Sequence, residues 1–195
     1  RVTDEASVSI VEMVLTGNVN KNIVSALNSQ GGKAVGLSGK DANLMICDPD
    51  KPELGFVGIP KQIDPSILNN FLESDFIPVI APVGIGSDGQ TYNVNADDAA
   101  GAIASSMEAD RLLLLTNVSG VRDRDGKVLA NLSTAEMRQM IKDGVIVKGM
   151  IPKAQTAIKA VDEGVRAVVI MDGRAPNACL LELFTDHGAG TLVRK

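Results

Sequence analysis

Between Arg111 and Thr116 stand Leu112, Leu113, Leu114 and Leu115, an unbroken apolar run. A strand with one wet face alternates apolar and polar side chains. An uninterrupted run of strand length predicts instead a parallel strand covered on both faces. Such a strand needs helices above and below it, and the rest of the chain supplies them in alternation. Thr3 is expected to cap a first helix, with Asp4 and Glu5 in its first turn. Its apolar face is Val8, Val11, Met13, Val14 and Leu15, and Gly17 is expected to stop it. A second helix is expected over 19–30, closed by Gly31-Gly32. Short strands are expected at 34–37, 44–47 and 56–59, then a helix from Asp64-Pro65 to Glu73 and a strand at 76–80. Residues 84–89 read as a flexible glycine turn, followed by a small-residue helix over 95–107. Beyond the leucine run, Ser133-Thr134-Ala135-Glu136 spells a capping box for a helix ending at Gly144. A helix over 152–163, a strand at 167–171, a helix at 176–184 and a short strand at 191–193 complete the order. Alternation of this kind predicts a three-layer αβα sandwich with a mainly parallel central sheet, read as a single domain over 1–195.

Composition narrows the chemistry. A net charge of −5 excludes a general nucleic-acid surface, while a small anion could still bind at a few placed cations. Aromatic residues are 3% of the chain, with no Trp, which excludes a base-stacking platform. Cys47 and Cys179 form no Cys-x-x-Cys pair, and His187 is the single histidine, so no metal site is expected. Unpaired thiols point to a reducing, cytoplasmic setting. No apolar run approaches the roughly 20 residues of a membrane span. The chain opens on Arg1-Val2-Thr3-Asp4 without a signal peptide, and an upstream segment is expected.

Ligands of open α/β sheets gather where strands end and helices begin. The first such junction is Tyr92-Asn93-Val94-Asn95-Ala96-Asp97. Asn95 can be a helix cap and Asp97 a first-turn acid, but neither role explains Asn93. The second, Thr116-Asn117-Val118-Ser119-Gly120-Val121, reads either as a polar turn or as a nucleotide-contacting loop. The third, Lys148-Gly149-Met150-Ile151-Pro152-Lys153, puts Lys153 at a helix N-terminus, where a cation costs about 0.3–1 kcal/mol. An anion bound there would offset that cost, and a solvated surface lysine is the equal alternative. The fourth, Asp172-Gly173-Arg174, reads as a turn with a surface salt bridge. No phosphate-binding P-loop, protein-kinase signature, nucleophile elbow or zinc-protease motif is present. Gly84-Ile85-Gly86-Ser87-Asp88-Gly89 matches the dinucleotide spacing, yet it leads into Gln90-Thr91-Tyr92 rather than opening a helix.

Taken in order, Arg1-Val2-Thr3-Asp4, Asn93-Val94-Asn95-Ala96-Asp97, Gly149-Met150-Ile151-Pro152-Lys153 and Leu180-Leu181-Glu182-Leu183-Phe184-Thr185-Asp186 carry a resemblance. The whole chain resembles the acetylglutamate kinases of the amino acid kinase superfamily. The resemblance implies ATP-dependent phosphorylation of the γ-carboxylate of N-acetyl-L-glutamate, in arginine biosynthesis, with Mg²⁺ carried by the nucleotide. It implies that Arg1 grips the substrate α-carboxylate, that Asn93 and Asn95 bind substrate, and that Asp97 orients the catalytic lysines. Lys153 would stabilise the transferring phosphoryl group. Thr116, Asn117, Val118, Ser119, Gly120 and Val121 would form the nucleotide loop, with Ile146 and Lys148 beside the adenosine.

The chemistry of the acceptor agrees with that resemblance. A glutamate-type carboxylate is already ionised at pH 7 and attacks phosphorus without a general base. The resemblance also implies an upstream lysine and two Gly-Gly loops, so the 195-residue chain alone is expected to have little activity. Asn117 stands where relatives often have Asp, and Lys148 where they have the first Gly of a pair. Glu182 and Gly188 match an arginine-effector pocket, although Val169 replaces a histidine found in arginine-inhibited relatives. A homo-oligomer is expected, a dimer or, with an N-terminal helix, a hexamer. Two alternatives stand beside this reading: a kinase for glutamate or aspartate, and a noncatalytic effector-binding subunit of the same fold.

Overall fold

In the computed structural model, which describes residues 2–185 and 188–195, Asp4 rather than Thr3 caps the first helix. Its carboxylate accepts the Ser7 N–H at 2.7 Å. Thr3 lies one residue too early and is held in a bridge to the Gly55 segment: its N–H donates to the Leu54 carbonyl, and its own carbonyl accepts from Phe56. Helix α1 (Glu5–Glu12) does not stop at Gly17 but passes through a π-helical stretch, Met13–Val19, into α2 (Asn20–Ser29). A π turn takes up an extra residue without ending the helix. Asn20 anchors its far end, its side-chain amide donating to the carbonyls of Leu37 and Val79 at 3.2 and 2.8 Å. That anchorage works against the roughly 1 kcal/mol that a glycine costs inside a helix.

The described residues fall into two compact units, 1–99 and 100–195, divided within α4 (Ala96–Ser106). In the first unit, β1 (Ala34–Ser38) and β4 (Ile77–Ala81) pair in parallel, and α3 (Ser66–Glu73) leads into β4. Four further strands, β2 (Met45–Pro49), β3 (Val57–Ile63), β5 (Val83–Gly86) and β6 (Thr91–Val94), close a small barrel in the order β2-β3-β6-β5. Met45, Cys47, Val83, Tyr92 and Val94 are its buried side chains. The interior is so narrow that a side chain at Gly58 would lie 2.6 Å from the Tyr92 Cβ, and one at Gly84 would collide with the Cys47 sulfur. Burial, aided by the Asp48 charge, pushes the Cys47 thiol up to about 11. The expected free turn at 84–89 is therefore half strand: Gly84 and Gly86 serve barrel packing, and Gly89, at φ 84°, turns the chain back into β6.

In the second unit, β7 (Leu112–Thr116), β8 (Asn131–Ser133), β9 (Val168–Asp172) and β10 (Gly190–Arg194) form a sheet in the order β7-β9-β10-β8. β7 runs parallel to β9, and β10 parallel to β8, while β9 and β10 are antiparallel. The leucine run does not lie in the most deeply buried strand. It forms β7 at the sheet edge, with Leu114 buried and Leu115 53% exposed. The strand covered on both faces is β9, whose Val168, Val169, Ile170 and Met171 are inaccessible. Helices α5 (Thr134–Lys142) and α6 (Met150–Asp162) bring Met137, Ala154, Ala157 and Val161 into one core with Val168, Ile170 and Val193. The capping box at α5 is present, with Ser133 Oγ accepting the Glu136 N–H at 3.1 Å and Glu136 accepting the Ser133 N–H at 2.7 Å. The last helix, α7 (Ala178–Phe184), precedes β10. Strands alternating with helices, and parallel pairing in both units, bear out the α/β class.

Candidate active site

β6 feeds directly into α4, and its period-two alternation sorts the first junction. Tyr92 and Val94 turn into the barrel, leaving Thr91 and Asn93 half-buried on the other face. The Asn93 N–H donates to the Phe56 carbonyl at 2.9 Å, and its side-chain amide donates to Thr3 Oγ1 at 3.3 Å. Asn95 caps α4, its Oδ1 accepting the Asp97 N–H at 2.9 Å and its carbonyl accepting from Ala99. Asp97 and Asp98 lie in the first turn, where the helix dipole favours acids. Arg1 lies outside the described residues. Thr3, two positions on, is the site neighbour that the cap reading missed. Its pairing with Asn93 spans 90 residues, and no local pattern announces it.

In the second unit, the loop 116–121 and the turn Asp172-Gly173-Arg174 leave the same ends of parallel neighbours, with Thr116 paired to Asp172. The Gly173 N–H donates to the Thr116 carbonyl at 2.9 Å. Arg174 makes the expected salt bridge, Nε and Nη2 reaching the Asp172 carboxylate at 2.9 and 2.8 Å. It also donates from Nη2 to the Asn117 carbonyl at 2.8 Å, tying the two junctions together. Hydrogen bonds from Arg174 hold the Asp172 carboxyl down at about 2. Asn117 and Ser119 are exposed and Thr116 and Val118 half-buried, whereas Gly120 and Val121 are buried. Those last two shape the loop. The Val121 N–H donates to Thr191 Oγ1 at 2.8 Å, which donates on to the Leu129 carbonyl at 2.7 Å.

Ile146 is buried in the core between α5 and α6, so its side chain serves packing. Lys148 is exposed and left-handed, at φ 47°. That conformation favours glycine over any residue with a Cβ. Lys153 is half-buried in the first turn of α6. The Met150 and Ile151 N–H groups already donate to the carbonyls of Val147 and Lys148, at 3.2 and 3.1 Å, and Pro152 has none. An anion at this helix end would therefore meet a lysine cation rather than a ring of open amides.

Glu182 and Gly188 do come together. Glu182 is 8% exposed. Its Oε2 accepts the Ala189 N–H at 2.8 Å, and its Oε1 lies 3.5 Å from Arg111 Nη1. A side chain at Gly188 would sit 2.9 Å from Oε2. Arg111, Asn131, Glu182, Thr185 and Gly188 border a cavity of about 230 Å³. Arg111 was not singled out from the sequence, being 71 residues from its partner. Val169 is inaccessible within β9 and serves the core. Among the described residues no three His, Cys, Asp or Glu side chains converge as metal ligands, and no helix is long and apolar enough to cross a membrane.

Residues 1–172 match the amino acid kinase family. Acetylglutamate kinase from Jannaschia sp. (strain CCS1) is 64% identical over 194 residues, covering all of this chain and 68% of that protein. Among solved structures, smu.665 from Streptococcus mutans UA159 is 34% identical with a TM-score of 0.84, covering all of this chain and 74% of its own. N-acetylglutamate synthase from Neisseria gonorrhoeae, complexed with coenzyme A and N-acetyl-glutamate, is 28% identical with a TM-score of 0.88, over all of this chain and 45% of its own. Its complex with coenzyme A and L-arginine is similar, with a TM-score of 0.85 over 47% of that chain.

Proposed function

This chain belongs to the amino acid kinase family, among the acetylglutamate kinases, and on that premise we propose that it phosphorylates the γ-carboxylate of N-acetyl-L-glutamate with ATP. The observation that carries this reading is the likeness to acetylglutamate kinases along the whole chain. The kinship crosses both units, which supports reading 1–195 as one domain. The acceptor carboxylate is ionised at neutral pH. One of its oxygens bonds to the γ-phosphorus while the bond to the β–γ bridging oxygen breaks, giving an acyl phosphate and ADP. No proton has to move, so the protein's task is alignment and charge neutralisation. Mg²⁺ bound with the nucleotide would supply further charge neutralisation beside the Lys153 ammonium.

Asn93, with Arg1 and Asn95, is proposed to bind the acceptor, and Asp97 and Lys153 to be the catalytic residues. Thr116 to Ser119 would meet the nucleotide through side chains or backbone, Gly120 and Val121 by shaping the loop, and Ile146 and Lys148 through backbone beside it. The buried Glu182 carboxylate, opening on a cavity with Gly188, supports a second ligand of guanidinium type, arginine. Exposed Ile10, Met13, Val14, Val19 and Ile23 along α1 to α2 support self-association, and a monomeric mass by light scattering would contradict it. Free thiols at Cys47 and Cys179 fit a reducing, cytoplasmic setting. Calorimetric titration tests both ligand sites together. Asn93→Ala should weaken N-acetyl-L-glutamate and spare L-arginine, and Glu182→Gln should do the reverse. Equal effects of both variants on both ligands would overturn the assignments.

A further inference from the structure

Outside the residues assigned above, the first unit holds one more charged cluster, and it sits on the face of β6 that carries Asn93. Lys40 follows β1, at the strand end where ligands of α/β sheets gather. Its turn is held firmly: the Asp41 carboxylate accepts the Ser38 N–H at 2.6 Å and the Ser38 hydroxyl at 2.8 Å. Gly39 is required beside it, since a side chain there would lie 2.6 Å from the Val83 carbonyl oxygen. From this turn the Lys40 ammonium donates to Glu12 Oε1 at 2.7 Å and to Thr91 Oγ1 at 2.9 Å. The Thr91 hydroxyl is in turn 3.4 Å from Glu12 Oε2. Three segments 28, 51 and 79 residues apart are thus joined at one point.

Glu12 is the last residue of α1, where the helix widens into its π stretch. Thr91 is two residues before Asn93 and on the same side of β6. At the other end of this face Asn93 donates to Thr3, which leads back into α1. The side chains of Lys40 and Glu12 are 31% and 33% exposed, and a pair so open to solvent adds little stability. What it does do is tie the end of α1 to β6, the strand that also carries Asn93.

We propose that Lys40 is a positioning residue for the acceptor face, acting through Glu12 and Thr91 on Asn93; the proposal rests on the acetylglutamate kinase reading. Lys40 sets the geometry in which the acceptor is held, so its loss should appear in acceptor binding. The test measures N-acetyl-L-glutamate affinity by calorimetry and KM for both substrates, using the full-length gene product and its Lys40→Met, Lys40→Arg and Glu12→Gln variants. Lys40→Met and Glu12→Gln should each weaken the acceptor by about five- to tenfold while leaving KM for ATP and the melting temperature unchanged. Lys40→Arg should recover most of the loss, and the double variant should be no worse than either single one. An unchanged acceptor affinity in an otherwise normal Lys40→Met protein would overturn the proposal. So would a fall in melting temperature with equal loss for both substrates, which marks a structural role. A wild-type chain that takes glutamate but not its acetylated form would overturn the functional reading itself, and this proposal with it.

Discussion

Arg174 shows what one side chain can do at a strand end. Sequence alone reads Asp172-Gly173-Arg174 as a turn with a salt bridge, and the salt bridge is there. The contact to the Asn117 carbonyl is invisible locally, because it spans 57 residues. Held down at about 2, the Asp172 carboxylate is more acidic folded than unfolded. Its contribution to stability is therefore complete above the ordinary carboxylate value near 3.8 and declines as pH falls through about 2. An NMR titration should give Asp172 a midpoint near 2 in the native protein and a clearly higher one in Arg174→Met, still short of 3.8 because the residue-174 N–H keeps donating to Oδ1. The same midpoint in both proteins would remove Arg174 as the cause. Arg111, and the pairing of Thr3 with Asn93, were not legible for the reason the Arg174–Asn117 contact was not: the partners are distant in sequence. Asn95 and the Ser133 box were legible because caps are satisfied within a few residues.

At the scale of elements, local chemistry is read most safely where it is self-contained. Ser133 and Glu136 satisfy each other's backbone donors, and α5 begins where that pattern places it. Ser133→Ala should cost about 1 kcal/mol in denaturant unfolding, with an unchanged slope; no loss would mean that another group takes over the cap. Gly17 is the opposite case. A glycine after an apolar helical face normally signals a stop, but Asn20 reaches the carbonyls of Leu37 and Val79 and keeps the helix going. The barrel was legible as short strands, not as a barrel. Closure depends on which strand pairs with which, and that follows from close packing at Gly58 and Gly84 rather than from any pattern of period two. The leucine run misled for a similar reason. Apolar continuity signals burial, yet edge position leaves Leu115 exposed, and the deeper strand, β9, has the less conspicuous sequence.

For the whole molecule, the α/β class was legible from alternation, and the family from a few short motifs at strand ends. Both units carry parallel strand pairs, and each holds proposed site residues: Asn93, Asn95 and Asp97 in the first, the 116–121 loop and Lys153 in the second. Fold does not decide substrate, since one architecture hosts many acceptors. The acceptor therefore has to be tested as chemistry. An acyl phosphate is trapped by hydroxylamine, so the direct measurement is ATP-dependent hydroxamate formation from N-acetyl-L-glutamate, with glutamate and aspartate alongside, for the native protein and Lys153→Ala. Product confined to the acetylated substrate, and reduced about a hundredfold or more in the variant, is the expected result. Equal turnover of glutamate or aspartate, or full activity without the Lys153 ammonium, would contradict it.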